Sequence, residues 1–199
     1  MEQYVVTISR QFGSMGRTIA ATMSQKLDID FLDRDIVAAT AERMGQPVKV
    51  ISEAEEQSGS FFLRKKDPLH MGIYSISDEI FAVQTNIIRD AAAKKSCIIV
   101  GRCADSILMD YKNHLNIYIY APYEARLHNC IHELMMEEKV ARKLIKEVDL
   151  ARTNYQKKYC PKVKSVFDNK DIMIDSSKFG IEGTADLLSR IVIERWGKT

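Results

Sequence analysis

Apolar residues recur along this chain with two periods, and the alternation between them predicts its architecture. Short runs rich in β-branched residues lie at 4–9, 98–100, 115–120 and 171–175, separated by segments long enough for helices. Runs of that length read as strands, and strands alternating with helices predict an α/β fold with a parallel sheet covered on both faces. After the first run, Ile19, Met23 and Leu27 fall at i, i+4 and i+8, with Ala20 and Ala21 in close-packed places, which predicts a helix. A second helix begins near Asp33 or Asp35 and stops at Met44, where Gly45 and Pro47 supply the end signal. A third covers 77–93 with Ile80, Val83, Ile87 and Ile88 on one side, and a last one covers 186–196. Residues 52–70 differ. Ser58-Gly59-Ser60, the triplet Arg64-Lys65-Lys66 and Asp67-Pro68 predict a loop or weakly held helix there.

The helix expected at 137–159 is the most informative. At about 100° per residue, Val140, Leu144, Val148, Ala151 and Tyr155 form one apolar stripe. Arg142 and Asp149 then lie together on the far side, with Arg152 about a turn further on. Taken alone, such a face is an ordinary solvated one carrying surface ion pairs.

Composition narrows the class. A length of 199 residues suits one domain, and 46% hydrophobic residues are ample for a core. Lys and Arg number 29 against 27 Asp and Glu, and a net charge of +2 gives no reason to expect a nucleic-acid partner. No apolar run approaches the length needed to cross a bilayer, and the first residues lack the basic-then-apolar pattern of a secretion signal. Cys97, Cys103, Cys130 and Cys160 form no Cys-x-x-Cys pair, so they read as reduced thiols of a cytoplasmic protein. His128 and His132 stand at i, i+4, but no third ligand accompanies them, and helix-surface roles are favoured.

The strongest local signal is Ser9-Arg10-Gln11-Phe12-Gly13-Ser14-Met15-Gly16-Arg17-Thr18, set between the first strand and the first helix. A loop that cradles phosphate needs glycines, because backbone N–H groups must approach oxygen atoms without a side chain in the way. The following helix adds its N-terminal partial positive charge. Gly16-Arg17-Thr18 stands where the usual pattern has Gly-Lys-Thr, so Arg17 is the candidate for the β/γ-phosphate cation and Thr18 for a magnesium ligand. Arginine exchanges a compact ammonium for a planar fork. The spacing is not that of a dinucleotide fingerprint.

With those residues in view, the chain resembles the cytidylate kinase-like family of P-loop nucleoside monophosphate kinases. Ser9 to Arg17 is close to the Ser-Arg-aromatic-Gly-Ser-Gly-Gly-Arg with which members of that family often open. The likeness continues through Phe31-Leu32-Asp33-Arg34-Asp35, Val100-Gly101-Arg102 and Ala121-Pro122-Tyr123-Glu124-Ala125-Arg126. It ends with Asp149-Leu150-Ala151-Arg152 plus Tyr155, then Asp175-Ser176-Ser177 and Gly180-Ile181-Glu182. Two departures stand out: Met15 replaces a glycine common in the family, and Gln11 replaces the first glycine of Walker loops.

The resemblance implies a three-layer P-loop kinase fold occupying 1–199 as one domain, with a core at about 1–45, 96–130 and 170–199. It implies a helical acceptor-binding insertion at about 46–95 and a lid at about 131–165. ATP phosphates would lie over Gly13, Ser14, Met15, Gly16, Arg17 and Thr18, with Mg²⁺ beside Thr18. Arg102 would hold the acceptor phosphate, and Arg10 would brace the loop or reach the same phosphate. Arg142 and Arg152 would be lid cations oriented by Asp149, with Arg126 either joining them or structural. Of Asp33 and Asp35, one would contact the acceptor nucleoside or a magnesium-bound water while the other caps a helix. The implied activity is ATP-dependent phosphoryl transfer to CMP or dCMP, with small nucleotides as partners, no nucleic acid, no membrane and an unspecified oligomeric state. A kinase of another small acceptor, or a nucleotide-binding protein without transfer activity, remains open.

Overall fold

The computed structural model describes residues 3–58 and 76–197. The triplet Arg64-Lys65-Lys66 therefore lies outside the described residues. Five strands form one sheet: β1 (Val5–Arg10), β2 (Asp30–Leu32), β3 (Cys97–Val100), β4 (His114–Tyr120) and β5 (Ile172–Asp175). All pairings are parallel, and the order is β2-β3-β1-β4-β5. The helices are α1 (Gly16–Leu27), α2 (Arg34–Met44), α3 (Val48–Ser58), α4 (Ile76–Lys94), α5 (Ala104–Ile107), α6 (Tyr123–His132), α7 (Glu138–Tyr159) and α8 (Gly180–Trp196).

The period of two along the strands explains the layering. Val6 and Ile8 of β1, with Ile98 and Val100 of β3, face Ile19, Met23 and Leu27 of α1 and Leu188 and Val192 of α8. Val5, Cys97 and Ile99 point the other way, against Ile36, Ile88 and Leu108. Both faces of the sheet are therefore covered, as purely parallel sheets require. Because α1 and α5 leave their strands toward opposite faces, the loops after β1 and β3 diverge. A crevice opens between them at the C-terminal strand ends, where ligands of open α/β sheets bind. Among the described residues, no helix is long and apolar enough to cross a membrane. The four cysteines are buried and unbridged.

Four elements differ from the sequence expectation. Strand β2 has three residues, too short for a period to register. Residues 48–58 form a helix, where the reading gave a loop or a weak helix from 52 onward; Ile51 anchors it against Val37, Ala41 and Ile80. Helix α8 starts at Gly180 rather than 186, because Thr184 and Ala185 are already buried along its first turns. The correction at α7 matters most. Its fully buried residues are Ala141 and Ile145, packed with Leu127 and Cys130 of α6, whereas Val140 is 44% exposed. The buried face is rotated by one residue, about 100°, from the predicted stripe. Asp149 and Arg152, at i+4 and i+7 from Ile145, consequently turn inward, and Arg142 turns out.

Candidate active site

The loop after β1 is shaped by two glycines that admit no side chain. A Cβ on Gly13, whose φ is 78°, would lie 2.8 Å from the Arg126 carbonyl oxygen and 2.9 Å from Cys130 Sγ. One on Gly16 would lie 2.7 Å from Arg10 Cβ. Met15 takes the left-handed conformation (φ 59°) as the residue before α1. Its thioether lies against the core and lines a cleft of about 300 Å³ with Ala125, His128, Asn129 and Ile181. The Ser14 hydroxyl is buried and donates to the carbonyls of Gln11 (2.9 Å) and Ile119 (3.2 Å), so it serves the loop rather than a ligand. Gln11 Oε1 accepts from Ala121 N–H at 3.2 Å, tying the loop to the end of β4 in place of the missing glycine. The first backbone N–H of α1 to find a partner is that of Ile19, on Met15 O. The preceding amides belong to the set that a helix start leaves for an anion. Thr18 is exposed in the first turn of α1.

Across the crevice, four guanidiniums share the field of one carboxylate. Asp33, 6% exposed at the end of β2, is ion-paired to Arg17 and lies 3.3 Å from Arg102 Nη1. It stands at the N-cap of α2 yet makes no capping bond, so its carboxylate is free for the cluster. Burial alone would raise the Asp33 carboxyl; the Arg17 hydrogen bond and the fields of Arg10 and Arg102 outweigh it and hold the group below its ordinary value. Arg10 shows the converse. Burial first, then the neighbouring Arg152, push its guanidinium down to about 9, against the pull of Asp33. It is still a cation at neutral pH. Glycine suits position 101, whose φ is 78°, and its bare Cα faces the Arg10 guanidinium. Gly101, Arg102 and Cys103 are all left-handed (φ 78°, 52° and 54°). For the two non-glycines such a backbone is strained, and strain of this kind clusters at functional sites.

The cluster opens on a cavity of about 320 Å³ lined by Arg10, Arg102, Tyr118, Asp149, Arg152 and Gln156, among others. Arg152 Nη1 donates to the Arg10 carbonyl at 2.9 Å, and burial lowers its guanidinium despite the nearby Asp149. At the far wall Asp105 and Lys170 form a buried ion pair at 2.5 Å, 3% and 1% exposed. Arg102 pairs with Asp33.

The structure thus gathers Arg10, Arg17, Asp33, Arg102, Asp149 and Arg152 around one crevice. Two sequence candidates stay outside it. Asp35 is exposed in the first turn of α2. Arg142 is exposed and held by Glu138 at 2.6 Å, with Tyr123 Oη 3.4 Å away. Arg17 reaches Asp33 instead of lying along the phosphate loop.

Sequence reasoning undervalued Arg126. It is 11% exposed in α6, and its Nη1 donates to Asp149 Oδ2 (2.5 Å) and to the Phe12 carbonyl (3.3 Å). Among the described residues its buried Nε finds no acceptor. Asn129, one turn on, donates to the Gly13 carbonyl at 2.9 Å. A signal was present: Pro122 opens a helix whose apolar residues Leu127 and Cys130 must face inward, which sets Arg126 and Asn129 beside the loop. Among the described residues no group of three His, Cys, Asp or Glu side chains suits a metal ion.

Known structures share this arrangement of strands. The crystal structure of an uncharacterized protein from Eubacterium ventriosum aligns with a TM-score of 0.70 at 23% identity, covering 96% of this chain and 98% of that one. Shikimate kinase from Acinetobacter baumannii, in complex with shikimate, aligns with a TM-score of 0.54 at 13% identity over 98% and 95% of the two chains. Shikimate kinase from Bacteroides thetaiotaomicron gives 0.55 at 11% identity over 96% and 99%. These likenesses establish a P-loop kinase fold. No curated protein matches the chain in sequence. Residues 5–178, which span every strand, the glycine loop and the arginine-lined crevice, match the cytidylate kinase-like family, and the chain belongs to that family.

Proposed function

We propose that this protein transfers the γ-phosphoryl group of ATP to a small phosphorylated acceptor, CMP or dCMP in the first instance. One observation carries the reading: four guanidiniums, those of Arg10, Arg17, Arg102 and Arg152, act on the single carboxylate of Asp33 beside the phosphate loop. A partly buried cluster with that excess of positive charge is stabilised by an anionic ligand.

Phosphoryl transfer asks little covalent help of a protein. It needs two substrates in line and fixed cations where negative charge spreads. In this reading the amides of Gly13 to Thr18 hold the donor phosphates, and the cleft beside Met15 holds the donor base. Arg102 and Arg10 hold the acceptor phosphate, with Asp33 keeping both guanidiniums aimed. Arg152, fixed at the end of β1 by the Arg10 carbonyl, meets the charge of the transferring group. Residues 131–165 act as the lid and 46–95 as the acceptor-side insertion. The Thr18 hydroxyl fits a magnesium ion held mainly by phosphate oxygens and water, the usual manner for Mg²⁺. Such an ion, when bound, neutralises part of the phosphate charge.

A second reading has the same donor and a carboxylate-bearing acceptor. Arginine forks receive carboxylate and phosphate alike, and the fold is shared with a shikimate kinase crystallised with shikimate. A coupled assay with Mg-ATP and CMP, dCMP, UMP, AMP and shikimate separates the two. Transfer to CMP or dCMP supports the first reading, transfer to shikimate alone selects the second, and no transfer to any acceptor defeats both.

A further inference from the structure

The residue that grips the phosphate loop is itself an anion. Asp149 Oδ1 accepts from the Phe12 backbone N–H at 2.8 Å, and Asp149 Oδ2 accepts from Arg126 Nη1 at 2.5 Å. The same Arg126 nitrogen touches the Phe12 carbonyl, and Asn129 holds the Gly13 carbonyl. The Phe12 amide stands one residue ahead of the Gly13–Thr18 amides, so Asp149 holds the edge of the loop and keeps the Arg126 guanidinium from an incoming anion. Arg126 Nε, beside it, is buried and takes no acceptor among the described residues. Asp149 sits on α7, whose buried face was rotated inward by Ala141 and Ile145. The latch therefore joins the phosphate loop to the helix that also carries Arg152.

We propose that Asp149 is a built-in competitor of the donor: its carboxylate ties Arg126 to the Phe12 amide at the edge of the phosphate loop in the nucleotide-free protein and gives up Arg126 when a triphosphate binds. The inference rests on the donor reading above and adds to it a regulation of that site. Binding of the donor breaks the contact of Asp149 with Arg126 and removes one tie between α7 and the loop, while Arg152 keeps its bond to the Arg10 carbonyl. Nucleotide-free protein keeps Arg126 latched, and donor affinity is reduced by the fraction of molecules in which the latch is shut.

The test compares wild-type protein with Asp149→Ala, a change that suits a helix interior. Isothermal titration with inorganic tripolyphosphate and with a non-hydrolysable ATP analogue reads donor affinity, and NMR-detected exchange reads the Phe12 amide. The variant should bind tripolyphosphate about tenfold more tightly, the factor expected if nine molecules in ten are latched. Its Phe12 amide should exchange about tenfold faster without ligand. Equal or weaker binding in the variant overturns the latch while leaving donor binding intact. Failure of both proteins to bind either probe overturns the donor reading and the latch together. Should the variant not fold, wild-type protein suffices. The Asp149 carboxyl carbon and the Phe12 amide should shift with one midpoint during a tripolyphosphate titration, and a fixed Asp149 signal overturns the proposal.

Discussion

Two charged clusters line one cavity and are built on opposite terms. At the far wall, Asp105 and Lys170 are both almost completely buried and neutralise each other, and the Asn169 side chain donates to the Asp105 carbonyl. At the mouth, Arg10, Arg102 and Arg152 outnumber Asp33, and Arg10 is pushed down to about 9 by its burial and its cationic neighbours. The first cluster is complete as folded. The second is complete only with an anion present. A balanced buried pair belongs to the fold, whereas an excess of one sign belongs to a ligand.

Removing half of the balanced pair should have the largest effect. Asp105→Ala leaves an uncompensated Lys170 ammonium at 1% exposure. We expect a loss of about 3–5 kcal/mol in unfolding free energy, measured by urea denaturation. The double variant Asp105→Leu, Lys170→Met should recover most of that loss, because an apolar pair of similar volume replaces two charges. If the single variant unfolds at the wild-type midpoint, the pair is not structural and the contrast collapses.

At the mouth the same kind of deletion should leave stability alone and damage turnover. Arg152→Ala removes a cation that meets charge developing in the transition state. The expected fall in kcat is about 10²- to 10³-fold, with little change in acceptor KM. Arg102→Ala should instead raise acceptor KM by about 10- to 100-fold, the range for a lost charge-assisted hydrogen bond. Its unfolding free energy from urea denaturation should stay within about 0.5 kcal/mol of wild type, since Arg17 still pairs Asp33. A large stability loss in either variant would assign the mouth to the fold after all.

This contrast also explains what the sequence could and could not tell. Strands β1, β3 and β4 and helix α1 were legible, because their apolar periods follow directly from burial on both sheet faces. The three residues of β2 carry too little pattern, though Asp33 at its end is central. Asp33 could not be ranked above Asp35 from the chain alone. Its role depends on Arg17 and Arg102, which lie 16 and 69 residues away in sequence. At α7 apolar periodicity misled by one position. Leu150 is 61% exposed while Asp149 and Arg152 turn inward, the kind of local conflict expected where a helix serves a site. For the same reason Arg142, alike to Arg152 in type, ended outside. Where polar groups are buried with partners from other elements, hydrophobic period ceases to report the face.

The smallest effect concerns pH and the balanced side. His114 is buried at the start of β4, its Nε2 2.6 Å from Thr7 Oγ1, within a network in which Thr7 also donates to Asn116 Oδ1 and Asn116 N–H to Asp171. Burial lowers the imidazole below its ordinary value, and the nearby Lys170 adds to that, against the opposing pull of Asp171 and Asp105. The folded state thus takes up a proton less readily than the unfolded chain, so the two states bind protons equally at pH 7.5 and differ as pH falls past about 6.5. Below that point the unfolded state binds more protons, and stability must decline with falling pH. Asp33 acts in another window: its carboxyl is held below the ordinary range, so the stability it confers persists through this region and is lost only at lower pH. Urea midpoints measured between pH 7.5 and 5.5 should therefore fall gently in wild type and stay flatter in His114→Gln. An equal slope in both would move the titrating group elsewhere. The mouth of the cavity would be the next place to search.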